Sequence, residues 1–473
     1  MSPRAGEPGQ VAPDVTAMGR VHLVGVGGAG MSAIALLLAA RGVPVSGCDA
    51  HDGPMLASLR AAGVDVVVGH DAGHIDGADT LVVSTAIRTT NPELVRAAEA
   101  GVPVLHRSAA LAALMRGRRV VAVAGAHGKT TTSAMVAAVL DAAGRDPSFA
   151  IGGTVGGLVG ARHGSGDVFV AEADESDGSF LAYSPSIAVV TNVEPDHLDH
   201  YGDRAAFEQA FVQFTERITP GGWLVACADD DGARRLARTA RAAGVAVRSY
   251  GTHGEADVRV GPWNPTAEGG WVTLTEPGAG PVRVDLRVPG AHNGANAAAA
   301  WTVARLLGIE ADRAARALAT FVAPGRRFSD RGSRGGVRVV DDYAHHPTEV
   351  AALLRAAREV VGEGRVLVVF QPHLYSRTRT FAAEFAEALG AADLVAVTDV
   401  YAAREDPDAA VTGALITERM AGNRGVFVAD RVEAARWVGR QARPGDLVLT
   451  VGAGDVTDLA PEVLDAVESA EGH

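Results

Sequence analysis

The sequence predicts an α/β protein of three domains, and three observations support this fold class. Short apolar segments that resemble strands alternate with helical segments along most of the 473 residues, a pattern that produces parallel sheets covered by helices. Two of these strands, near residues 20 and 120, run directly into glycine-rich turns that begin helices. A chain of this length exceeds one hydrophobic core. We therefore predict domains at 19–116, 117–323 and 324–473, after a disordered Pro/Gly-rich tail at 1–18.

The composition limits the classes of ligand. Hydrophobic residues make up 47% of the chain and charged residues 21%, as in ordinary globular proteins. A net charge of -13 disfavours nucleic acid and anionic membrane surfaces as partners. The two cysteines, Cys48 and Cys227, lack the spacing of a metal-binding motif, and the longest apolar run, 34–40, is too short to cross a bilayer. We expect a reduced, cytoplasmic protein, whose oligomeric state the sequence leaves open.

The first glycine turn belongs to a strand, helix and strand at residues 20–50. Gly25, Gly27 and Gly30 satisfy the pattern G-x-G-x-x-G, and Asp49 ends the second strand, where an acidic residue meets a ribose hydroxyl in dinucleotide-binding folds. Glycines that only allow the helix to pack closely on the strand are the alternative explanation. Either way, the segment predicts a Rossmann-like first domain.

Polar residues follow the later strands of this domain. His70, Ser84 and Asn91 stand at or just after predicted strand ends, where open parallel sheets bind ligands. Each of them also suits a helix cap or a turn, so none indicates a ligand by itself.

The second glycine turn lies in residues 120–133, VVAVAGAHGKTTTS, and predicts a phosphate-binding loop. An apolar strand leads to a turn with Gly125 and Gly128, and Lys129 and Thr130 then begin a helix. In such loops backbone N–H groups surround phosphate oxygens, the lysine reaches the outer phosphates and the hydroxyl lies on Mg²⁺. The helix N-terminus adds partial positive charge.

Lys129 is the only lysine among 43 basic residues, the rest being arginine. A compact ammonium on a slim stem fits between phosphates where a planar guanidinium does not, which explains why lysine is retained here. The loop departs from the common spacing G-x-x-x-x-G-K-[ST], because Val123 stands where that pattern has glycine. It is a G-x-x-G-K-T variant.

Two successive apolar strands, at 167–180 and 187–201, end in acidic and histidine side chains. In chain order these residues are Glu172, Asp174, Glu175, Asp177, Asn192, Glu194, Asp196, His197, Asp199 and His200. Mg²⁺ prefers oxygen ligands and substrate phosphates, so the clusters are consistent with a metal site beside a bound triphosphate. Solvated acidic loops are the alternative explanation.

Two further groups of polar residues lie toward the C-terminus. Asn293 and Asn296 share one face at the start of an alanine-rich helix; capping explains one of them, and the other suggests a ligand contact. In the motif DDYAHHP, Pro347 suits the first turn of a helix. Its neighbours Asp341, Asp342, His345 and His346 are not explained by local structure. The surrounding strands and helices predict a third, Rossmann-like domain.

Nine motifs in this order resemble those of the Mur ligases of bacterial peptidoglycan synthesis. They are VGVGGAGMSAIA, AGAHGKTTT, EADESDGSF, TNVEPDHLDHY, HNGANAAAA, GRRF, DDYAHHPTE, QPHLYSRTR and GAGDVT, and they cover nearly the whole chain. The resemblance implies a UDP-sugar-binding first domain, a central ATP-binding domain of the P-loop type with a mixed sheet, and a Rossmann-like last domain.

The resemblance also implies roles for individual residues. UDP-sugar binding is expected at Gly25, Gly27, Gly28, Gly30, Asp49, His70 and Ser84. ATP binding is expected at Gly125, Ala126, His127, Gly128, Lys129, Thr130, Thr131, Asn293, Asn296, Arg327, Asp341 and Asp342. Mg²⁺ would be bound by Thr130, Glu172 and His197. The sugar carboxylate and the incoming amino acid would meet Tyr343, His345, His346, His373, Arg377 and Arg379. The catalytic residues would be Lys129, Arg327, His345 and His346.

The implied activity is amide-bond formation through an acyl phosphate, and within the family the motifs favour addition of L-alanine to UDP-N-acetylmuramate. Three alternatives remain open: attachment of a ready-made peptide to the same sugar, nicotinamide-dependent oxidoreduction at the first glycine turn, and nucleotide-switched binding without synthesis. Two departures from the family pattern stand out. Ala126 replaces a usual threonine, and with Lys129 as the only lysine the chain cannot form the carbamylated lysine of several members.

Overall fold

The computed structural model describes residue 10 and residues 12–155, 158–196, 198–403, 405–422 and 424–471. The chain divides into two compact units. The first comprises residues 1–262, 273–284 and 295–324, and the second comprises residues 263–272, 285–294 and 325–473. The described strands form three sheets, of five, eleven and six strands, which lie in the first, central and last predicted domains.

The first sheet has the order β3-β2-β1-β4-β5, and all its neighbouring strands are parallel. Its strands are β1 (Val21–Val24), β2 (Val45–Asp49), β3 (Asp65–Val68), β4 (Thr80–Val83) and β5 (Val104–His106). Its helices are α1 (Ala29–Ala40), α2 (Pro54–Ala61), α3 (Pro92–Ala100) and α4 (Arg107–Met115). Because β1 lies between β2 and β4, the turn that follows it lies at the point where the strand order reverses, the usual ligand position in such sheets.

The residues just before β1 correct the expected disordered tail. Val15–Ala17 form a 3₁₀ turn capped by Asp14, and Met18 is buried. The Gln10 side chain bonds to the backbone of strand β5, donating to the Val104 carbonyl at 3.0 Å. Residues 12–18 are therefore ordered, because an apolar side chain and a paired amide hold them against the first sheet. Residues 1–9 and 11 lie outside the described part of the chain.

The second sheet is mixed, as predicted. Its strands are β6 (Arg119–Ala124), β7 (Ser148–Val155), β8 (Leu158–Arg162), β9 (Val168–Glu172), β10 (Ile187–Val190), β11 (Trp223–Cys227), β12 (Ala246–Gly251), β13 (Val258–Val260), β14 (Asn264–Thr266), β15 (Gly269–Thr275) and β16 (Val282–Leu286). The helices that follow these strands along the chain are α5 (Lys129–Ala142), α6 (Leu198–Tyr201), α7 (Arg204–Glu216), α8 (Asp231–Ala242), α9 (Ala291–Leu306) and α10 (Ala311–Leu318). β7 and β8 pair antiparallel, as do β13 and β15.

Strand β6 lies at the centre of the parallel part of this sheet. It pairs with β10 on one side and β9 on the other, and its residues Val120–Ala124 are buried. Apolar strands that are covered on both faces are typical of parallel sheets, which explains the unbroken apolar run in the sequence. The loop after β6 therefore has the ends of β9 and β10 as its neighbours.

The third sheet has the order β17-β18-β22-β19-β20-β21. Its strands are β17 (Ser329–Arg334), β18 (Val337–Asp342), β19 (Val366–Phe370), β20 (Leu394–Val397), β21 (Gly425–Phe427) and β22 (Leu447–Val451). Its helices are α11 (Pro347–Val361), α12 (Tyr375–Leu389), α13 (Ala414–Thr417), α14 (Arg431–Gln441) and α15 (Ala460–Glu471). Two apolar clusters fill this region, one with α11 and α12 and one with α14 and α15, so helices cover both faces of the sheet. β17 pairs antiparallel with β18 at the edge.

The structure confirms the predicted three-domain α/β fold. The predicted position of Pro347 is also correct: it occupies the first turn of α11, and His346 is the N-cap. Within the described residues, every helix is too short or too polar to span a bilayer.

Candidate functional site

Glycine is required at two positions of the phosphate-binding loop. Gly125 has φ of 129°, and a Cβ there would lie 2.2 Å from the Thr191 hydroxyl. Gly128 has φ of 81° and precedes helix α5, and a Cβ there would lie 2.7 Å from the Asn296 side-chain oxygen. Both backbone angles are costly for other residues, so the tight turn that presents N–H groups to phosphate depends on these glycines.

The Lys129 side chain is held by three oxygen atoms around the loop. Its Nζ donates to the Gly125 carbonyl at 2.8 Å, to the Ala126 carbonyl at 3.3 Å and to Glu175 Oε1 at 2.8 Å. Burial opposes charge on this lysine, but the nearby carboxylates, Glu175 foremost, outweigh it and raise its pKa. The ammonium therefore stays charged and lies folded back onto the loop, next to where an outer phosphate would bind.

Glu175 is the buried partner of this lysine. Its side chain is fully buried, and burial raises its pKa to about 7 although the charge of Lys129 lowers it. Its Oε2 is one of the buried oxygen atoms without a hydrogen-bond partner in the described structure. The sequence placed Glu175 in an acidic cluster but did not indicate that it pairs with Lys129.

Thr130 and Glu172 come together at the start of α5. The Thr130 hydroxyl lies 3.1 Å from Glu172 Oε1 and 3.0 Å from Oε2, and Oε2 also accepts the Gly152 N–H at 2.7 Å. Glu172 is the last residue of β9, which pairs with β6, so the sheet itself brings this carboxylate to the loop. These are the oxygen donors that Mg²⁺ prefers. The third expected ligand, His197, lies outside the described residues.

Residues that follow β10 contact the other side of the phosphate-binding loop. The Asn192 side chain accepts the His127 N–H and donates to the His127 carbonyl, both at 3.0 Å. The Thr191 hydroxyl donates to the same carbonyl at 2.6 Å, and His127 Nε2 lies 3.1 Å from Glu194 Oε2. The loop conformation is therefore fixed by side chains from both neighbouring strands. Thr131 is buried in the first turn of α5.

The two asparagines of α9 differ in their surroundings. Asn296 lies against the phosphate loop, with its Oδ1 3.2 Å from the Thr132 hydroxyl. Asn293 donates its amide to the Pro289 carbonyl at 2.8 Å, and both asparagines are buried. Asn296 therefore lies beside the phosphate-binding loop, and its contact with a nucleotide stays a prediction. The expected role of Asn293 in binding ATP also stays a prediction.

In the first sheet, the predicted UDP-sugar residues surround the turn after β1. Asp49 Oδ2 accepts the Gly27 N–H at 2.9 Å, so this carboxylate supports the turn. Gly28 is the N-cap of α1. His70 lies beside the Cys48 thiol, and Ser84 follows β4 half-buried. A ribose contact by Asp49 stays a prediction, since the carboxylate already has a structural partner.

Arg107 is a residue that the sequence reasoning missed. It begins α4, and a guanidinium nitrogen lies 3.4 Å from where a Cβ on Gly30 would be. The same guanidinium donates to Asp174 at 2.9 Å and to Asp177 at 3.1 Å. It therefore connects the glycine turn of the first sheet with the acidic loop after β9. The available signal was weak: one arginine at a strand end, in a chain rich in arginine.

We expect Arg107→Ala to lower the free energy of unfolding by about 2 to 3 kcal/mol, because it leaves two carboxylates facing each other without a cation. The Arg107 side chain is 18% exposed, whereas Asp174 is 35% exposed, so water offsets part of the loss. Urea unfolding monitored by tryptophan fluorescence measures the change. The matched control is Arg60→Ala, whose partner Asp52 is 61% exposed, with an expected cost of at most about 1 kcal/mol. Equal costs for the two variants would contradict this prediction.

In the third sheet, the two aspartates at the end of β18 have structural partners. Asp341 is fully buried and accepts hydrogen bonds from the Thr450 hydroxyl at 3.0 Å and the Thr457 hydroxyl at 2.9 Å. Asp342 accepts the Phe328 N–H at 2.7 Å and the Ala344 N–H at 2.8 Å. Burial raises the pKa of Asp342 to about 6, although the charge of Arg327 lowers it. Their expected contacts with a nucleotide stay predictions.

An aromatic and basic group follows these aspartates. The guanidinium groups of Arg326 and Arg327 lie over the Tyr343 ring, at 4.9 and 5.3 Å from its centroid. The His345 ring packs edge-on against Tyr343, with ring centroids 5.2 Å apart, and lies 5.9 Å from the His373 ring. His373 Nδ1 is 3.4 Å from Arg377 Nη1. Four of the expected substrate residues therefore form one group.

The other two expected residues have different recorded contacts. The His346 ring accepts the Thr348 N–H as the N-cap of α11 and packs against Phe381. Arg379 is more than half exposed and pairs with Asp408. Their roles in catalysis or substrate binding stay predictions.

Burial lowers the pKa of His345 to about 4, although Glu349 opposes this. Because Nδ1 lies 2.9 Å from the Tyr343 carbonyl, which only accepts, Nδ1 carries the proton and Nε2 keeps its lone pair. The folded state stays neutral while the unfolded chain binds a proton below pH ~6.5, so stability falls as the pH drops from about 6.5 toward 4.

We expect His345→Asn to remove this pH dependence of the free energy of unfolding, which amounts to at most about 1.4 kcal/mol per pH unit. Urea unfolding midpoints between pH 4.5 and 6.5 measure it. The exposed histidine at position 51 provides the control variant His51→Asn, which should leave the slope unchanged. A wild-type slope in His345→Asn would contradict the prediction.

These features define a class of protein. A phosphate-binding loop on the second of three α/β sheets along the chain, with oxygen donors at the ends of both neighbouring strands, is the arrangement of a phosphate-loop nucleotide-binding enzyme. Family models match three successive segments: "Mur ligase family, catalytic domain" at 20–119, "Mur ligase middle domain" at 123–304 and "Mur ligase, glutamate ligase domain" at 326–454. The chain belongs to the Mur ligase family.

Individual relatives support the same family. The chain is 58% identical to the UDP-N-acetylmuramate–L-alanine ligase of Kineococcus radiotolerans over 467 residues, covering 97% of this chain and 98% of that protein. The crystal structure of UDP-N-acetylmuramate-alanine ligase MurC from Thermotoga maritima is 30% identical, with a TM-score of 0.81 over 95% of this chain and 99% of that one. The UDP-N-acetylmuramate:L-alanyl-γ-D-glutamyl-meso-diaminopimelate ligase of Neisseria meningitides is also 30% identical, with a TM-score of 0.60 over 66% of this chain and 100% of that one.

Proposed function

We propose that this ligase joins L-alanine to the carboxylate of UDP-N-acetylmuramate in the cytoplasm, using ATP, as a step of peptidoglycan precursor synthesis. The observation that carries the proposal is the caged Lys129 in a phosphate loop, in a chain that is 58% identical over nearly its full length to an enzyme named for this reaction. A carboxylate is a poor acylating agent because hydroxide would have to leave. ATP solves this problem by transferring its γ-phosphoryl group to the carboxylate.

The reaction then has two balanced steps. In the first, a carboxylate oxygen attacks the γ-phosphorus and ADP leaves, which forms an acyl phosphate. In the second, the neutral amine of alanine attacks the acyl carbon, phosphate leaves with the C–O bond electrons, and the amine loses a proton. Lys129 would stabilise the charge that develops on the transferred phosphoryl group. The catalytic role expected for Arg327 stays a prediction.

Mg²⁺ fits the oxygen donors beside the loop. The Thr130 hydroxyl and the Glu172 carboxylate lie within 3.1 Å of each other, at the position where phosphate-loop proteins hold this ion with the nucleotide phosphates. Bound Mg²⁺ would supply charge neutralisation for the phosphates. Glu172 would hold the ion, while the Gly152 N–H keeps the carboxylate oriented.

His345 is the better candidate for accepting the proton of the amine. Its Nδ1–H is fixed on the Tyr343 carbonyl, so neutral Nε2 is available as an acceptor. His346 instead caps α11 with its ring. The low pKa of His345 in the free protein means that a bound anion, such as the substrate carboxylate or phosphate, would have to raise it for efficient proton transfer.

The UDP-sugar would lie at the turn after β1. Backbone N–H groups at the N-terminus of α1 favour a diphosphate there, and Arg107 adds a cation next to Gly30. Attachment of a peptide in place of alanine is the second candidate, because the Neisseria enzyme named for that reaction is also 30% identical over 66% of this chain.

One assay tests the proposal. The full chain is incubated with ATP, Mg²⁺ and UDP-N-acetylmuramate together with L-alanine, glycine, L-serine or the tripeptide L-Ala-γ-D-Glu-meso-diaminopimelate, and phosphate release is measured. We expect release that requires both the sugar and L-alanine. Release that ignores either one would overturn the ligase proposal, and preference for the tripeptide would establish the second candidate.

A further inference from the structure

A second cluster of polar side chains lies in the first sheet and has no part in the proposed reaction. His22, Cys48, His74 and Glu93 each present one potential ligand atom, and these atoms all lie within 4.8 Å of one another. His22, Cys48 and Glu93 are buried, and His74 is partly buried. Nitrogen, sulfur and carboxylate oxygen converge here from four separate segments of the chain.

The sheet register explains the convergence. In the parallel ladder of β1 and β2, His22 is opposite Ser46 and Val24 is opposite Cys48. Residues two apart on a strand point to the same face, so His22 and Cys48 share one face of the sheet. His74 comes from the 3₁₀ turn Ala72–Ile75, and Glu93 from the first turn of α3. Both segments pack on that face.

Short contacts at Glu93 bring the potential ligand atoms together. Cys48 Sγ lies 3.0 Å and His74 Nδ1 lies 3.1 Å from Glu93 Oε1. His22 Nδ1 is 2.9 Å from the Ser46 hydroxyl, which leaves Nε2 as its free ligand atom. That Nε2 is buried and has no hydrogen-bond partner in the described structure, and Glu93 Oε2 is buried with His70 Nδ1 3.3 Å away. Orphaned buried polar atoms are rare in proteins and call for an explanation.

The buried Glu93 carboxylate also favours a bound cation. Its side chain is 0% exposed, and its contacts are the Cys48 thiol, the imidazoles of His70 and His74, and the Asp71 N–H. None of these groups is a permanent cation. Hydrogen-bond donors surround this carboxylate, and a bound cation would pair with its charge.

We propose that His22, Cys48, His74 and Glu93 form a binding site for a divalent transition metal ion, with Zn²⁺ as the best match. Two imidazoles, one thiolate and one carboxylate are typical zinc ligands, and with a divalent ion the four-ligand set is neutral overall. Tetrahedral ligands at zinc distances lie about 3.4 Å apart. In this cluster two pairs of ligand atoms lie 3.0 and 3.1 Å apart, and all pairs lie within 4.8 Å. The Ser46 hydroxyl would accept the His22 Nδ1–H and orient that ring.

The metal would stabilise the part of the first sheet that supports the predicted UDP-sugar turn. The Cys48 carbonyl accepts the N–H groups of Gly25 at 2.8 Å and Val26 at 2.9 Å, so a metal on the Cys48 sulfur would brace the turn through one residue. Burial and the Glu93 carboxylate raise the pKa of the Cys48 thiol in the metal-free protein. Metal binding would therefore release the thiol proton.

Cobalt titration of the full-length, tag-free chain tests the proposal. The protein is stripped of metal with a chelator, kept reduced, and titrated with Co²⁺ alone, without nucleotide or Mg²⁺. We expect a thiolate-to-cobalt charge-transfer band that saturates at one equivalent and disappears when one equivalent of Zn²⁺ is added. The band should be absent from Cys48→Ala and strongly reduced in His74→Asn.

Matched variants separate this site from other binding. Cys227→Ala removes the other buried cysteine and His51→Asn an exposed histidine, and both should keep the wild-type band. Zn²⁺ should also raise the melting temperature of the wild type but not of His74→Asn, whose partly exposed side chain makes its loss tolerable to the fold. A wild-type protein without the band, or a band that persists in Cys48→Ala, would overturn the proposal.

Discussion

Replacing Lys129 with arginine is expected to reduce turnover about 10²- to 10³-fold, the usual loss when a group that stabilises transition-state charge is removed. The three acceptors around Nζ, at 2.8, 3.3 and 2.8 Å, form a cage for a compact ammonium. A planar guanidinium matches neither this cage nor the narrow space between phosphates. Phosphate release with saturating ATP, sugar and alanine measures the effect.

An arginine-to-lysine substitution at a surface site provides the control for Lys129→Arg. Arg204→Lys exchanges the same two residue types at a surface site, where Arg204 is 62% exposed and pairs with Glu208. We expect this variant to keep the wild-type rate. Circular dichroism and thermal melting should show that Lys129→Arg is folded, since the charge that pairs with Glu175 is kept. A folded Lys129→Arg enzyme with normal turnover would show that the lysine is not essential.

Replacing Glu172 with glutamine is expected to raise the Mg²⁺ concentration for half-maximal activity at least about tenfold, because ligand changes weaken metal sites by this order or more. Glutamine is nearly isosteric and its oxygen can still accept the Gly152 N–H, so the loop should keep its structure. What it lacks is the negative charge beside the Thr130 hydroxyl. Activity measured over a range of Mg²⁺ concentrations at fixed ATP gives the shift.

The control for this variant is Glu268→Gln, at an exposed position between β14 and β15. It should leave the Mg²⁺ dependence unchanged. An unshifted Mg²⁺ dependence in Glu172→Gln would mean that the carboxylate only orders the backbone around Gly152 and does not bind the metal.

The features that could be predicted from sequence are those written in consecutive residues. The apolar run 120–124, the glycine turn and Lys129 together specify a strand, a loop and a helix N-terminus, and the structure has all three. The alternation of such units predicted the α/β class for the same reason. Periodicity and turn chemistry act locally, so they survive in any tertiary context.

The parts that could not be predicted depend on which strands become neighbours. Lys129 meets Glu175 and Arg107 meets Asp174 across 46 and 67 residues of sequence, and spacing alone does not reveal such pairs. Glu172 reaches Thr130 because β9 pairs with β6, an order that the sequence pattern does not contain. The hydrogen bond that Asp49 accepts from the Gly27 N–H is likewise a tertiary contact that the motif did not reveal.

Because Lys129 is the only lysine, cleavage at this residue would report local opening of the phosphate-binding loop. A lysine-specific endoprotease has one cleavage site, the peptide bond between Lys129 and Thr130, which lies at the start of α5 with the lysine side chain 15% exposed. Proteases cut extended backbone, so the native chain should resist and each cut should mark an opening of the phosphate loop. The appearance of two fragments on a gel would then follow that opening at a single peptide bond, without any label.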